Sequence, residues 1–302
     1  MAPLPPRDFH LFPIPNRPVD PPPLVLTSTT TWSYCGPLLP LPTADSVSDS
    51  DLAAFSNTLP ESFHTWARHT FASPSPPTNP HPLLTHLLPL LQSTHTFLRT
   101  HNTTHYWLTI RATQPTSAFN TPRWHTDDAF FLDPRQSEHA RNQWKLCATL
   151  QGPGTLFAAD GGLARKVLRK AKKDAAAAQR LEEAKKEGNG DGGKGGGQGH
   201  VCSTMRCAAC GRTSEVVREV VGKELEGREV VQVGNGEMVF FRLGGREGAV
   251  HSEPRMDGKG DGNGGDRVFV NVVPGTEEEL RGLMGRWGME FPRSWSLGVP
   301  MA

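Results

Sequence analysis

Hydrophobic residues are scarce in this chain, at 36% of 302 residues, while glycine (31) and proline (27) are plentiful. A segment with few apolar side chains cannot bury enough surface to order itself, so the folded core is expected to be smaller than the length suggests. Long apolar runs are missing. None approaches 18 residues, which excludes a membrane-spanning helix. The opening residues, MAPLPPRDFHLFPIPNRP, lack the apolar stretch of a secretory signal. Excess charge is missing too. A net charge of +1 exerts no general pull on anionic lipid and argues against nucleic acid as a partner. The five cysteines are an odd number, three of them clustered, which suits a reducing compartment better than a disulfide framework. An intracellular protein, cytoplasmic or nuclear, is the expectation.

Residues 1–45, rich in Pro, Ser and Thr, read as a tail that wanders over a surface or stays mobile. Helical patterning follows. Asp49-Ser50-Asp51 caps a short helix through Phe55, and Glu61–Phe71 forms another. His81–Leu98 carries Leu83, Leu84, Leu87, Leu88, Leu91 and Phe97 on one stripe. Pro89 predicts a kink or break there. From residue 104 the pattern changes to short strands: Tyr106–Ala112, Pro122–Phe131, Trp144–Leu150, Gly154–Phe157, Glu229–Val233, Met238–Arg242, Ala249–His251 and Arg267–Val273. Eight antiparallel strands separated by Gly, Pro and Asn turns suit a jelly roll of the cupin type.

The expected architecture is therefore mainly β with flanking helices (α+β), a double-stranded β-helix over residues 46–275. A largely disordered insertion at 158–228 interrupts it, and a C-terminal helix and tail occupy 276–302. Within the insertion, Ala164–Glu187 has good helix propensity but no evident apolar face, so it reads as a solvated helix. Its cations Arg165, Lys166, Arg169, Lys170, Lys172 and Lys173 fit an exposed charged face better than a nuclear-import or anion-binding patch. Gly188–Gly199, with eight glycines in twelve residues, reads as a flexible tether.

The chemistry concentrates in Thr121-Pro122-Arg123-Trp124-His125-Thr126-Asp127, taken with the distant His251. In an extended segment residues two apart point to the same side. His125 and Asp127 can thus converge, with a remote histidine completing a face of three ligands. Two histidines and one carboxylate with open positions opposite is the arrangement favoured for non-haem Fe(II) oxygen chemistry. Strand parity prefers Asp127 to Asp128. Pro254 ends the strand after His251, which places Glu253 outside the site. His200, Cys202, Cys207 and Cys210 lie within eleven residues and offer thiolates for a structural Zn²⁺. One short loop is less typical of zinc than two separated pairs, so free thiols are the preferred reading.

The order H-x-D, then Gly-Pro-Gly-Thr-Leu-Phe (152–157), Gly-x-Met-Val-Phe-Phe (236–241), a lone His251 and an Arg267 opening a hydrophobic strand resembles the Fe(II)/2-oxoglutarate-dependent dioxygenases. Thr121–Asp127 with Lys145–Phe157 is similar, more closely, to a mostly bacterial uncharacterised family within or near that superfamily. The resemblance covers roughly residues 104–275 minus the insertion. It implies an oxygenase of hydroxylase or demethylase type, acting on a small molecule or a protein side chain. It further implies Fe(II) on His125, Asp127 and His251, with 2-oxoglutarate as cosubstrate held by Arg267 through a bidentate guanidinium. Arg267 lies farther from His251 than is usual there, and Arg255 is the alternative anchor. Arg111, Lys145 and Asn271 are candidate substrate-side residues on the barrel strands, whereas Trp124, Trp144 and Phe269 fit core packing better than the pocket. Two other classes stay open: a cupin-like metal-binding protein with a non-oxidative or structural role, and a non-catalytic interaction protein.

Overall fold

A computed structural model describes residues 8–42, 48–72, 81–117, 121–131, 143–187, 208–244, 246–257 and 265–300. Ten strands and six helices occur among them. The strands are β1 (Phe9–Pro13), β2 (Thr30–Pro37), β3 (His105–Thr113), β4 (Trp144–Gln151), β5 (Leu156–Ala158), β6 (Val230–Gln232), β7 (Glu237–Arg242), β8 (His251–Ser252), β9 (Arg267–Gly275) and β10 (Arg293–Leu297). The helices are α1 (Asp49–Thr58), α2 (Glu61–Thr70), α3 (Pro82–Thr100), α4 (Gly161–Glu187), α5 (Ala208–Glu224) and α6 (Glu277–Arg286).

Seven strands form an open antiparallel sheet in the order β1-β7-β4-β9-β3-β2-β10, and three form a small sheet in the order β6-β5-β8. The period-two alternation of β9 assigns its faces. Val268, Val270 and Val272 are fully buried with Leu108 and Ile110 of β3 and the leucines of α3. Arg267, Phe269 and Asn271 therefore face the other way, and Phe269 packs with Phe157 of β5, from the small sheet. One face of the large sheet thus carries α1, α2 and α3, and the other carries the functional residues and, over Cys35 and Trp107, α6.

Helix α3 takes the position its leucine stripe predicts. Leu83, Leu84, Leu87, Leu88 and Leu91 are fully buried. The helix runs through Pro89 without ending there. Helix α1 is capped one residue earlier than expected, by Ser48, which bonds reciprocally with Asp51 as a capping box.

Two expectations give way. The N-terminal residues are not a tail: β1 adds to the edge of the large sheet beside β7, and β2 pairs with β3 over Thr30–Pro37. Proline density hid these strands, because the prolines lie at their ends and in the turns, where no ladder hydrogen bond is lost. The insertion is likewise built rather than disordered over its described parts. Ala164, Leu168 and Ala171 of α4 are buried against Val217 and Val221 of α5, against Leu225 just beyond it and against Trp124. An alanine-lined seam this narrow carries little hydrophobic signal, yet it suffices where two helices approach closely. The C-terminal helix is present as α6, followed by the strand β10, which pairs with β2.

Three histidines of the α3 region are held neutral. Burial, aided by the charge of Arg99, pushes His95 down to about 3. Burial, aided by His64, pushes His81 down to about 4. His86 is lowered chiefly by burial, against the opposing pull of the Pro22 carbonyl. In the unfolded chain a histidine titrates near 6.5, so below that pH the unfolded state binds protons that the folded state refuses. The stability is fully present above about pH 6.5 and falls on acidification toward the folded-state values, by up to ~1.4 kcal/mol per pH unit for each such histidine. Urea unfolding between pH 7 and pH 5 is expected to show this slope, and His95→Leu is expected to make it shallower. An unchanged slope in the variant would contradict the assignment.

Candidate metal centre

His125 and His251 face each other across a single antiparallel bridge. Each backbone N–H donates to the other's carbonyl at 2.9 Å. In such a hydrogen-bonded pair the two side chains leave the sheet on the same side, and the ring centroids are 4.4 Å apart. The expected strand over 122–131 shrinks to this one bridge, flanked by Arg123 N–H donating to Ser252 Oγ at 2.7 Å and Gly244 N–H donating to the Asp127 carbonyl at 2.8 Å. Asp127, two residues on, points to the same side. Its Oδ1 lies 3.6 Å from His125 Nε2 and 3.7 Å from His251 Nε2. One ligand atom from each of the three residues falls within 4.8 Å of the other two.

The outer contacts decide which atoms face inward. His125 Nδ1 lies 2.7 Å from the Arg123 carbonyl and His251 Nδ1 lies 3.0 Å from the Ala249 carbonyl. A carbonyl only accepts, so each Nδ1 carries the proton and each Nε2 is left with its lone pair. Lys145 Nζ donates to Asp127 Oδ2 at 2.8 Å, which leaves Oδ1 as the oxygen turned to the two imidazoles. Two neutral nitrogens and one carboxylate oxygen on one face are a donor set suited to a divalent transition metal. Phe157 stacks on His251, and Phe241 lies 4.8 Å from the same ring. The pocket is thereby apolar behind the ligands.

Ionisation of the metal-free centre matches that reading at Asp127 and His251 and opposes it at His125. Burial alone raises the Asp127 carboxyl, but the contact with His125 and the charges of Lys145 and His251 outweigh it and hold it well below the usual range. Burial and the neighbouring His125 push His251 down to about 4. His125 is pushed up: Asp127 and Glu253 overcome the effect of burial.

The other expected residues fall in three places. Arg267 is buried, with Nε donating to the Pro153 carbonyl at 2.8 Å and one Nη donating to Thr155 Oγ1 at 3.1 Å. That acceptor is presented by the Gly-Pro-Gly turn, where a Cβ at residue 154 would sit 1.8 Å from the Val233 carbonyl oxygen; only glycine fits. Arg267 and Arg111 line one cavity of about 470 Å³ between the sheets. Glu253 lines it too, and it feels the charges of His125, His251 and Arg111. Glu253 is not among the residues whose ligand atoms converge, and the strand β8 ends before it, at Ser252. Lys145, expected on the substrate side, is instead engaged with Asp127. Asn271 stands on the Arg267 face of β9, opposite Thr109 of β3 and Cys147 of β4. Arg255 pairs with Asp257, so it is not turned to the cavity as the alternative anchor. Asp128 is exposed. His200, Cys202 and Cys207 lie outside the described residues, and the side chain of Cys210 does so as well.

Fold and site together define a mainly antiparallel α+β protein with a His-Asp-His cluster able to hold a metal ion. No family model matches the chain, and no curated protein matches it. Solved structures of a non-heme iron oxygenase, OrfP, show a distant likeness. OrfP by itself is 17% identical with a TM-score of 0.28, OrfP with Fe is 16% identical at 0.27, and OrfP with Fe and L-canavanine is 15% identical at 0.28. Each match covers 78% of this chain and 86% of the other. Backbones that agree so little carry no argument about function, which rests on the geometry of this site. No helix among the described residues is long and apolar enough to cross a membrane.

Lys145 and Asp127 are each less than one-fifth exposed. Removing one partner of a buried pair leaves an uncompensated charge, at a cost of about 3 kcal/mol. Lys145→Met is therefore expected to lower the stability of the metal-free protein by about that amount. Mn²⁺ is expected to restore part of the loss, because the added cation takes over the neutralisation of Asp127. Thermal unfolding with and without Mn²⁺ reads both effects, and a smaller metal-induced shift in the variant than in the parent would contradict this account.

Proposed function

We propose that the chain is an Fe(II)-dependent oxygenase using a 2-oxo acid, 2-oxoglutarate in the first instance, and that its two sheets form a double-stranded β-helix. The carrying observation is the approach of His125 Nε2, His251 Nε2 and Asp127 Oδ1 with both Nδ1 atoms committed to backbone carbonyls. Strand order supports the fold. Taken along the chain from β3, the segments lie in the large sheet, the small, the large and the small, then in the small, the large, the small and the large. That palindrome is what two interleaved antiparallel hairpin windings produce.

His125, Asp127 and His251 would hold the iron, whose contribution when bound is the activation of O₂. The chain's own residues do the rest. Lys145 restrains the Asp127 carboxylate to one inward oxygen. Phe157 and Phe241 keep water from the back of the site. Arg267 and Arg111 set two guanidiniums against one carboxylate, Glu253, in the adjoining cavity, so that cavity favours an anion. Arg267, fixed by Pro153 and Thr155, is the cosubstrate anchor; its remaining N–H groups and its charge are what a distal carboxylate would meet.

Anaerobic titration with Fe(II) and then 2-oxoglutarate tests this reading. Metal uptake is expected, followed by a weak visible charge-transfer absorption on adding the 2-oxo acid. Both should disappear in His125→Ala and in His251→Ala. Arg267→Lys should keep the metal and loosen 2-oxoglutarate by about tenfold, since the planar fork is lost while the charge stays. Metal uptake without any response to a 2-oxo acid would leave a cupin-like metal protein. No uptake at all would end the metal reading.

A further inference from the structure

Two opposite charges in the cavity between the sheets are left without partners. Arg111 and Glu253 both line that space of about 470 Å³. They form no ion pair with each other, and neither forms one with any other described residue. Glu253 is half-buried and feels the charges of His125, His251 and Arg111. Its oxygens are not among the atoms that converge as metal ligands. A carboxylate drawn away from water with no cation in contact is costly. A few polar groups turned into one concave space are what fixes a ligand's orientation.

The backbone on both walls is fixed. Ser252 Oγ accepts from the Arg123 N–H at 2.7 Å and donates to the Glu253 carbonyl at 2.9 Å. Arg111 stands in the ladder of β3, between Thr31 of β2 and Phe269 of β9. Beyond it the Thr116 N–H donates to the Met256 carbonyl at 2.9 Å, which ties the two walls together. Depth separates the two arginines. Arg267 is buried, with Nε and one Nη spent on Pro153 and Thr155, whereas Arg111 is exposed at the mouth. Preorganised charges of opposite sign therefore face one opening.

We infer that Arg111 and Glu253 recognise the head group of a zwitterionic substrate of the amino-acid type, its carboxylate on Arg111 and its ammonium on Glu253. The assignment as substrate rests on the oxygenase reading; the zwitterion site itself does not. An anion without a cation is repelled by Glu253, and a cation without an anion is repelled by Arg111 and Arg267. Only a molecule carrying both satisfies the two walls at once. The cosubstrate carboxylate goes to the deeper Arg267, so the two occupy different depths of one cavity. Glu253 borders both imidazoles, which brings the head group to the metal side.

Norleucine carries both charges, hexanoate is the same chain without the ammonium, and pentylamine is the same chain without the carboxylate. Calorimetric titration of the full metal-free chain is expected to show norleucine bound at least about tenfold more tightly than either. Glu253→Gln should remove the preference over hexanoate and keep that over pentylamine, and Arg111→Gln should do the reverse. Arg255→Gln, whose parent side chain is paired with Asp257, should leave both preferences intact. Equal binding of the three probes would overturn the proposal, and so would an equal loss in Arg255→Gln. A large loss of Co²⁺ affinity in Glu253→Gln would make Glu253 a metal ligand and overturn it as well. With Co²⁺ and 2-oxoglutarate bound, norleucine should still bind without displacing either. Displacement of 2-oxoglutarate overturns the substrate assignment. Failure of cobalt to bind at all overturns the oxygenase reading, while the three probes on the metal-free chain still decide whether the zwitterion site exists.

Discussion

Two reciprocal backbone hydrogen bonds between His125 and His251 are the constraint on which this structure depends. They join residues 126 positions apart in sequence into one bridge, and the geometry of that bridge leaves both rings no choice but to project together. Asp127 follows by parity. Everything else at the centre, the carbonyls that take each Nδ1 proton and the aromatic rings behind His251, serves to hold imidazoles whose position the backbone has already settled. The small sheet is short because it has one task, to carry these residues against the inner face of the large sheet.

Charge then divides the surroundings into compartments. Lys145 neutralises the outer oxygen of Asp127 and so acts on the ligand set rather than on a ligand's substrate. Arg267 and Arg111 make a positive chamber between the sheets, moderated by Glu253. On the outer face of the small sheet the insertion adds α4 and α5, which belong to neither sheet and wall a cavity with Lys172 and Arg218. They are held there by the packing of Ala164, Leu168 and Ala171 on Val217, Val221 and Leu225.

Much of the fold was legible along the chain. The strands from Tyr106 onward and the leucine stripe of α3 follow from period-two and helical spacing, because each buries one face against a continuous core. Other parts were not legible. The strands β1 and β2 are bounded by prolines, β10 lies in what reads as a tail, and the seam of α4 is made mostly of alanine. Each of these acquires its structure from a neighbour contributed by another part of the sequence, and local pattern carries no trace of that neighbour. The candidate site was divided in the same way. The spacing of His125 and Asp127 was visible, whereas Lys145 read as a substrate contact.

The sequence by itself determined the residue types and their local phase: which side of an extended segment His125 and Asp127 share, and which face of β9 carries Arg267. Those are consequences of backbone geometry over two or three residues. Only the tertiary structure decided that His251 is the facing histidine, that Lys145 is spent on Asp127, and that Lys172 and Arg218 overlook the same cavity. Such decisions depend on strand register and helix docking, which bring together groups separated by tens to more than a hundred residues and are fixed by the packing of the whole core.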